Sequence, residues 1–302
     1  MQAYGFTENG GPETQDLLDL PTPQPGPAEL LVAVHAAGVN PVDVVIRNGG
    51  FGPTADLPAV LGREAAGVVE AVGQDVDGFS VGDAVLGWVA PGSGGFAEYA
   101  VLTAASTVAK PTGVSFPDAA VLPIAGSTAY DAVRQLGLST GQTLLILGIG
   151  GGIGVVAAQL ARDAGLMVVG TASESKRELV ESLDATLVVY GDGVADRVRQ
   201  ILPDGVDAIL DLVGGDALRA VAELAPSGRI VTTADGETAT GLGGAYVEQP
   251  DLAASMTALA GLVAAGKLDP HVEDLVPLAE AGAAVAAVET GHPRGKVVVQ
   301  VR

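Results

Sequence analysis

Hydrophobic positions in the first 122 residues fall in short apolar or alternating runs. The clearest of these runs cover residues 29–36, 66–72, 84–88 and 97–101. Pro, Gly and Asp lie between them, and the proline-rich segment 21–27 is expected to be an extended connector. Runs of this length between turn residues are typical of strands. We therefore expect a small all-β barrel or sandwich over this part of the chain.

Beyond about Pro123 the pattern changes to alternating strands and helices. Helical spacing covers residues 127–136 and recurs near residues 155, 174, 192 and 215. Apolar runs typical of strands begin at Thr143, Leu166, Thr186, Asp207 and Arg229. Strands that alternate with helices at this spacing form a parallel sheet covered on both faces. The expected fold class is therefore α/β, with a doubly wound sheet that binds its ligand at the carboxyl ends of the strands.

The stretch 143–164 combines a strand, a glycine-rich turn and a helix. Its glycines fit the spacing G-x-x-G-x-x-G on Gly148, Gly151 and Gly154, whereas the stricter G-x-G-x-x-G would need glycine at Ile153. Glycine lets the backbone turn sharply and approach a pyrophosphate closely, and the N–H groups at a helix start favour negative charge. The stretch therefore predicts a dinucleotide site that includes Gly152 and Ile153. An ordinary loop is the alternative.

These patterns divide the chain into three segments. Residues 1–122 form the first domain, and residues 123–266 form a nucleotide-binding domain that ends in a long helix over 251–266. Residues 267–302 form a C-terminal segment, in which the run 296–301 is again strand-like. We expect this last strand to rejoin the first domain.

The composition narrows the classes of function. A net charge of −21 over 302 residues argues against nucleic acid and anionic membranes as partners, because both would be repelled. The chain has no cysteine, and its histidines, His35, His271 and His292, lie far apart, so we expect no metal site. The uncharged run 144–161 approaches the length of a membrane span, but its glycines disfavour that interpretation. With no secretory signal pattern at the start, we expect a cytoplasmic protein that acts on a small molecule.

The residues after the second parallel strand indicate which nucleotide is bound. A carboxylate there would accept hydrogen bonds from the ribose of NAD and repel a 2′-phosphate. This chain has Ser173 at that point, with Lys176 and Arg177 close behind. A cation near a phosphate in a half-exposed site contributes on the order of a few kcal/mol, so NADP(H) is the expected cofactor. The alternative is that both cations form the solvated face of a helical turn, which the neighbouring Glu174 supports.

Several motifs together resemble the medium-chain dehydrogenase/reductase superfamily, and within it the zinc-independent quinone oxidoreductases. The motifs are GVNPVD at 38–43 followed by Arg47, LGREAAGVV at 61–69, AGSTAYDAV at 125–133, the glycine turn, and GKVVVQV at 295–301. The resemblance spans nearly the whole chain. It implies a GroES-like, β-barrel-type catalytic domain, a Rossmann nucleotide-binding domain, and a homodimer or homotetramer.

The resemblance also bears on metal chemistry. Three positions match those at which the zinc alcohol dehydrogenases of this superfamily hold their catalytic metal with Cys, His and Cys. Here they are Asn40, Arg63 and Ile124, and none of them supplies a zinc ligand of the required kind. What remains is transfer of a hydride from NADPH to an electrophile that needs no Lewis acid, such as a quinone or an α,β-unsaturated carbonyl.

By the same resemblance, Asn40 and Thr128 would lie beside the nicotinamide and residues 151–153 under the pyrophosphate. Ser173, Lys176 and Tyr190 would surround the adenosine phosphate. The relatives commonly carry a tyrosine eleven residues after the Asn, where this chain has Phe51. Because phenylalanine has no proton to give, this difference favours a quinone or simple enone over an enoyl-thioester.

The candidate catalytic residues are Asn40, Asp43 and Arg63. Arg63 would bind a substrate carboxylate or polarise a carbonyl oxygen; alternatively, it forms a structural ion pair with Glu64 or Asp43. The leading hypothesis is an NADPH-dependent quinone or enone reductase. The alternatives are an enoyl reductase or cyclising enzyme of one biosynthetic pathway, and an NADPH-binding protein with little turnover.

Overall fold

The computed structural model describes residues 1–52, 54, 56–291 and 294–302. His292, one of the histidines considered for a metal site, lies outside the described residues. The described chain forms two compact units. The first unit contains Met1–Ala125 and Asp251–Arg302, and the second unit contains Gly126–Pro250.

The strands, in chain order, are β1 (Gln2–Phe6), β2 (Gln15–Asp19), β3 (Glu29–Gly38), β4 (Ala59–Val60), β5 (Glu64–Val72), β6 (Ala84–Val89), β7 (Tyr99–Ala109), β8 (Thr143–Leu147), β9 (Met167–Ala172), β10 (Thr186–Val189), β11 (Ala208–Asp211), β12 (Ile230–Thr232), β13 (Ala245–Tyr246), β14 (Val272–Pro277) and β15 (Lys296–Gln300). The α-helices are α1 (Pro41–Arg47), α2 (Phe116–Ala120), α3 (Ser127–Leu136), α4 (Gly152–Asp163), α5 (Arg177–Ser182), α6 (Val194–Ile201), α7 (Gly215–Val221), α8 (Gly236–Gly241), α9 (Leu252–Ala264) and α10 (Ala281–Glu289). Short 3₁₀ turns cover Pro12–Thr14, Glu174–Lys176, Ala222–Leu224 and Leu278–Glu280, and a π-helical turn covers Leu122–Gly126.

The first unit is built on a small barrel. Its main sheet has the order β14-β15-β3-β5-β6-β7, and β3 pairs with β7 as well as with β5. Strands β3, β5, β6 and β7 therefore close on themselves, which confirms the predicted barrel. Strand β15 pairs antiparallel with β3, with Val298 opposite Gly38, so the expected return of the last strand to the first domain is confirmed.

Helices interrupt the all-β pattern predicted for residues 1–122. Helix α1 follows β3 directly, and helix α2 follows β7. The β-branched run in α1 resembles a strand, but Pro41 at its first position and the Asp43 carboxylate on the Asn40 N–H favour a helix start. The core between these elements includes Phe6, Leu30 and Phe96, all fully buried.

The second unit is a parallel sheet with the order β10-β9-β8-β11-β12-β13. The pairings are parallel throughout these six strands of the described chain. Counted from β8, this is the strand order 3-2-1-4-5-6 of doubly wound dinucleotide-binding domains, whose ligands lie at the carboxyl ends near the first strand. The predicted α/β fold class is confirmed, and the glycine turn lies at the carboxyl end of β8.

The two units divide the chain at different points from those expected. The second unit runs from Gly126 to Pro250, rather than from 123 to 266. Helix α9 forms where a helix was predicted over 251–266, but it packs against β7 of the first unit, with Met256 and Leu259 buried. Local periodicity predicts such a helix but does not say which sheet covers its apolar face. In the described part of the chain, no helix combines the length and apolar character that a membrane span requires.

Candidate functional site

Helix α1 holds Asn40 and Asp43 at its start. Asn40 is the residue before the helix, and the Asp43 carboxylate accepts the backbone N–H of Asn40 at 2.8 Å and that of Gly62 at 3.2 Å. Asp43 is fully buried. Burial raises the pKa of this carboxyl to about 7, with a further contribution from the charge of Glu64, while the two N–H groups oppose the shift.

A buried ion pair adjoins the Asn40 side chain. The ammonium of Lys296, at the start of β15, lies 3.0 Å from Oε1 of Glu64, at the start of β5. The same ammonium donates to Asn40 Oδ1 at 2.7 Å and to the Val39 carbonyl at 2.9 Å. Asn40 Nδ2 donates to Glu64 Oε1 at 2.7 Å. We call Asn40, Asp43, Glu64 and Lys296 the polar cluster; none of the four residues is more than 4% exposed.

Sequence reasoning missed two members of the polar cluster. It considered Glu64 only as a partner for Arg63, and it did not single out Lys296. The available signal was a charged residue at the start of an apolar strand, in EAAGVV and in KVVVQ. A charge in such a position is rarely buried unless it is paired, and two of opposite sign predict a buried pair.

Arg63 lines a cavity in the first unit. Its guanidinium donates to the carbonyls of Ser93 at 3.1 Å and Val89 at 2.9 Å. The cavity has a volume of about 220 Å³, and Asp43, Ile46 and Thr54 also line it. Burial lowers the pKa of this guanidinium, and the charge of Asp43 opposes that effect. Within the described ranges Arg63 forms an ion pair with neither Glu64 nor Asp43, and Glu64 pairs with Lys296 instead.

The glycine turn of the second unit has the geometry of a phosphate cradle. Gly148 has a φ of +81°, which favours glycine. The first i to i−4 bond of α4 runs from the N–H of Val155 to the Gly151 carbonyl at 2.9 Å. The preceding N–H groups, those of Gly152, Ile153 and Gly154, therefore lie at the helix start, where an anion binds well.

Two glycines of this turn differ in what surrounds them. A Cβ at Gly154 would lie 2.5 Å from the Ile149 carbonyl oxygen and 2.6 Å from that of Gly148, so glycine is required for packing. A Cβ at Gly151 would meet nothing closer than the Gly148 carbonyl oxygen at 3.6 Å. The space in front of Gly151 is thus open, as a bound pyrophosphate requires.

The expected adenosine-phosphate residues lie around the end of β9. Lys176 donates to the Gly150 carbonyl at 3.0 Å, which places its ammonium against the glycine turn. Arg177 forms ion pairs with Glu174 at 2.6 Å and Glu181 at 3.1 Å. These pairs agree with the alternative that Arg177 belongs to the solvated face of a helical turn. Ser173 bonds to the hydroxyl of Ser175 at 2.9 Å.

The remaining predicted residues have varied surroundings. Tyr190 follows β10, donates its N–H to the Ala172 carbonyl at 3.3 Å and is 56% exposed. Thr128, in α3, is buried and lies within 3.5 Å of the Gln249 side-chain nitrogen. Phe51 is 75% exposed. The structure therefore joins Asn40 and Asp43 in one cluster and brings Lys176 to the glycine turn.

Comparison with known proteins identifies the family. Residues 26–112 match the family described as "Alcohol dehydrogenase GroES-like domain", and residues 183–299 match "Zinc-binding dehydrogenase". A quinone oxidoreductase of Pseudomonas aeruginosa is 32% identical, over 97% of this chain and 98% of the relative. The chain belongs to the medium-chain dehydrogenase/reductase superfamily. Its quinone-oxidoreductase-like character, expected from the motifs, is confirmed.

Two further proteins are similar to this chain over most of their length. The NADPH-dependent alkenal/one oxidoreductase, chloroplastic, of Arabidopsis thaliana is 31% identical over 99% of this chain and 79% of the relative. The solved structure of mycobacterial Rv1454c in complex with NADPH has a TM-score of 0.88 and 27% identity, and the match covers 100% of both chains.

The three positions that match the superfamily's catalytic zinc ligands carry different chemistry in this chain. Glu64 accepts from the side chain of Asn40 through Oε1 and from the N–H of Ile124 through Oε2, at 2.7 Å in each case. Arg63 adds a guanidinium, which repels a divalent cation. Among the residues the structure describes, no group of three or more His, Cys, Asp or Glu is placed to hold a metal ion. The positions thus carry hydrogen-bond donors and a cation.

Proposed function

We propose that this protein transfers a hydride from NADPH to a quinone or to the β-carbon of an α,β-unsaturated carbonyl. The protein is an oxidoreductase of the medium-chain superfamily that uses NADP(H). The observation that carries the choice of substrate class is the amide and guanidinium at positions that match zinc ligands in related alcohol dehydrogenases. Such donors stabilise negative charge that develops on oxygen. The names of the quinone and alkenal/one oxidoreductases among the relatives support the same class.

The glycine turn fits the nucleotide. The pyrophosphate would lie against the N–H groups of Gly152, Ile153 and Gly154, where the helix start favours an anion. The open space in front of Gly151 allows that approach. Lys176, with its ammonium already at the turn, would meet the 2′-phosphate together with Ser173, and Tyr190 would cover the adenosine. When bound, NADPH supplies the hydride.

On the electrophile, we assign the stabilisation of the reduced oxygen to Arg63 and Asn40. Addition of a hydride to an enone β-carbon moves the π electrons to the carbonyl oxygen, which becomes an enolate. For a quinone, the electron pair moves to an oxygen and the product is a phenolate. In both cases a donor close to the oxygen lowers the barrier, and removal of one such donor costs about 100-fold or more in kcat.

The final proton needs a source other than residue 51, where relatives commonly carry a tyrosine. Because Phe51 carries no acidic hydrogen, the chain offers no acid there. A phenolate is protonated by water without a positioned acid, whereas the α-carbon of an enolate benefits from one. The proposal therefore ranks quinones above enones, and enones above enoyl-thioesters, in kcat/KM.

The test is steady-state oxidation of NADPH with matched panels of quinones, enones and enoyl-thioesters. We expect the highest kcat/KM with quinones. Turnover confined to one enoyl-thioester would favour a pathway-specific reductase. Tight NADPH binding without consumption across the panel would favour a binding protein. The cytoplasmic location and the homodimer or homotetramer stay predictions.

A further inference from the structure

The Asn40 amide has its orientation imposed by two buried charges. The Lys296 ammonium can only donate, and it lies 2.7 Å from Oδ1 of Asn40. The Glu64 carboxylate lies 2.7 Å from Nδ2 of Asn40. A rotation of the amide by half a turn would set its NH₂ against the ammonium and its oxygen against the carboxylate. The chemistry of the two neighbours therefore allows one orientation of the amide.

The two charges are themselves fully engaged. Lys296 has three N–H groups and three acceptors within 3.0 Å, which are the Val39 carbonyl, Asn40 Oδ1 and Glu64 Oε1. Glu64 uses its second oxygen to accept the N–H of Ile124 at 2.7 Å. Such a complete set of hydrogen bonds fixes the geometry of a buried pair. Lys296 and Glu64 thus hold the Asn40 amide in one orientation.

The contacts with Lys296 and Glu64 determine whether the Asn40 amide can donate or accept a further hydrogen bond. One hydrogen of its NH₂ goes to Glu64, and the other has the Gly38 carbonyl at 3.5 Å, beyond the usual range of such a bond. The amide oxygen faces the ammonium. Asn40 can therefore offer a hydrogen to a ligand more readily than it can accept one.

We propose that Lys296 and Glu64 are positioning residues that hold Asn40 as a hydrogen-bond donor to the reduced oxygen of the electrophile. Neither charged group touches the substrate. This inference rests on the proposed function, because it requires Asn40 to act on a quinone or enone. A merely structural ion pair would stabilise the fold and leave the action of Asn40 unchanged.

The test is a double-mutant cycle between Asn40→Ala and Lys296→Met, with 1,4-benzoquinone as acceptor. We measure kcat, KM for the quinone and the Kd for NADPH. Asn40→Ala is expected to lower kcat by about 100-fold. Lys296→Met is expected to lower kcat at least about tenfold in the native background and less than about twofold in the Asn40→Ala background, because residues that act as one unit are not additive. Lys296→Met is expected to keep the Kd for NADPH within about twofold of the value in the same background.

Two controls separate positioning from a loss of stability. Lys296→Met leaves the buried Glu64 carboxylate unpaired, so this variant is expected to unfold more easily. The cycle is therefore repeated with the double change Glu64→Gln and Lys296→Met, which removes both charges. Val298→Ala alters a buried residue of the same strand outside the polar cluster, and its effect on kcat is expected to be the same in both backgrounds.

The outcomes distinguish the inference from the proposed function. If Asn40→Ala leaves kcat unchanged, the proposed role of Asn40 on the electrophile is wrong. The positioning role is overturned if Asn40→Ala lowers kcat but removal of the charges at Lys296 and Glu64 lowers kcat by the same factor whether Asn40 is present or replaced by Ala. Loss of the Lys296 effect in the Asn40→Ala background supports it.

Discussion

At the scale of single residues, Asp43 shows how burial and hydrogen bonds compete. Two backbone N–H groups favour the charged carboxylate, but full burial outweighs them and raises the pKa from 3.8 to about 7. The folded protein therefore binds this proton more tightly than the unfolded chain does. Its contribution to stability is fully present at low pH and is lost as the pH rises through about 7.

Asp43→Asn is expected to remove this pH dependence. Between about pH 5 and pH 8, the free energy of unfolding of the native protein should fall relative to that of the variant, by about 2 kcal/mol. Urea unfolding of both proteins across that range measures the difference. Parallel stability curves would contradict a raised pKa for Asp43.

Lys176 and Arg177 make a second test at this scale. Lys176 lies against the glycine turn, whereas Arg177 is engaged by Glu174 and Glu181. Lys176→Ala should raise the KM for NADPH by about tenfold, which corresponds to about 1.4 kcal/mol, with little change for NADH. Arg177→Ala is the matched control and should have a smaller effect. Equal losses with both nucleotides would mean that Lys176 does not bind the 2′-phosphate.

At the scale of elements, the glycine turn contains one glycine that packing requires and another that nucleotide binding is expected to require. Gly154 is confined by backbone oxygens, while the space in front of Gly151 is open. Gly154→Ala should lower the free energy of unfolding by about 2 kcal/mol or more, because backbone must shift. Gly151→Ala should change stability by about 1 kcal/mol or less and raise the Kd for NADPH at least about tenfold, since its methyl group occupies the phosphate approach.

Fluorescence titration with NADPH and urea unfolding of both glycine variants check this pair. Native-like NADPH affinity in Gly151→Ala would show that the pyrophosphate does not approach at that residue. Comparable destabilisation in the two variants would contradict the packing difference at the turn.

The elements also show what the sequence could predict. The run from Thr143 into α4 combines a strand pattern, a glycine turn and a helical pattern, and all three appear where expected. Helix α1 was not expected, because Val42, Val44, Val45 and Ile46 are β-branched and favour strands. Its start is set by Pro41 and the Asp43 carboxylate, and these signals outweigh propensity in so short a segment.

At the scale of the whole molecule, contacts between distant parts of the chain were hardest to predict. Lys296 and Asn40 are 256 positions apart, yet their side chains lie 2.7 Å from each other. Periodicity predicts that β15 is a strand, but its pairing with β3 joins distant parts of the chain, which no local pattern encodes. The same limit applies to α9, whose apolar face joins the first unit. Paired buried charges in apolar strands were the available clue.

The central claim is that the protein oxidises NADPH directly with a quinone and needs no metal. The most direct measurement is a single turnover, in which enzyme carrying one equivalent of NADPH and treated with a chelator is mixed with excess 1,4-benzoquinone. The account predicts loss of the nicotinamide absorbance in a single phase, at a rate unchanged by the chelator and slower when NADH replaces NADPH. Persistence of bound NADPH, or a rate restored by added zinc, would contradict it.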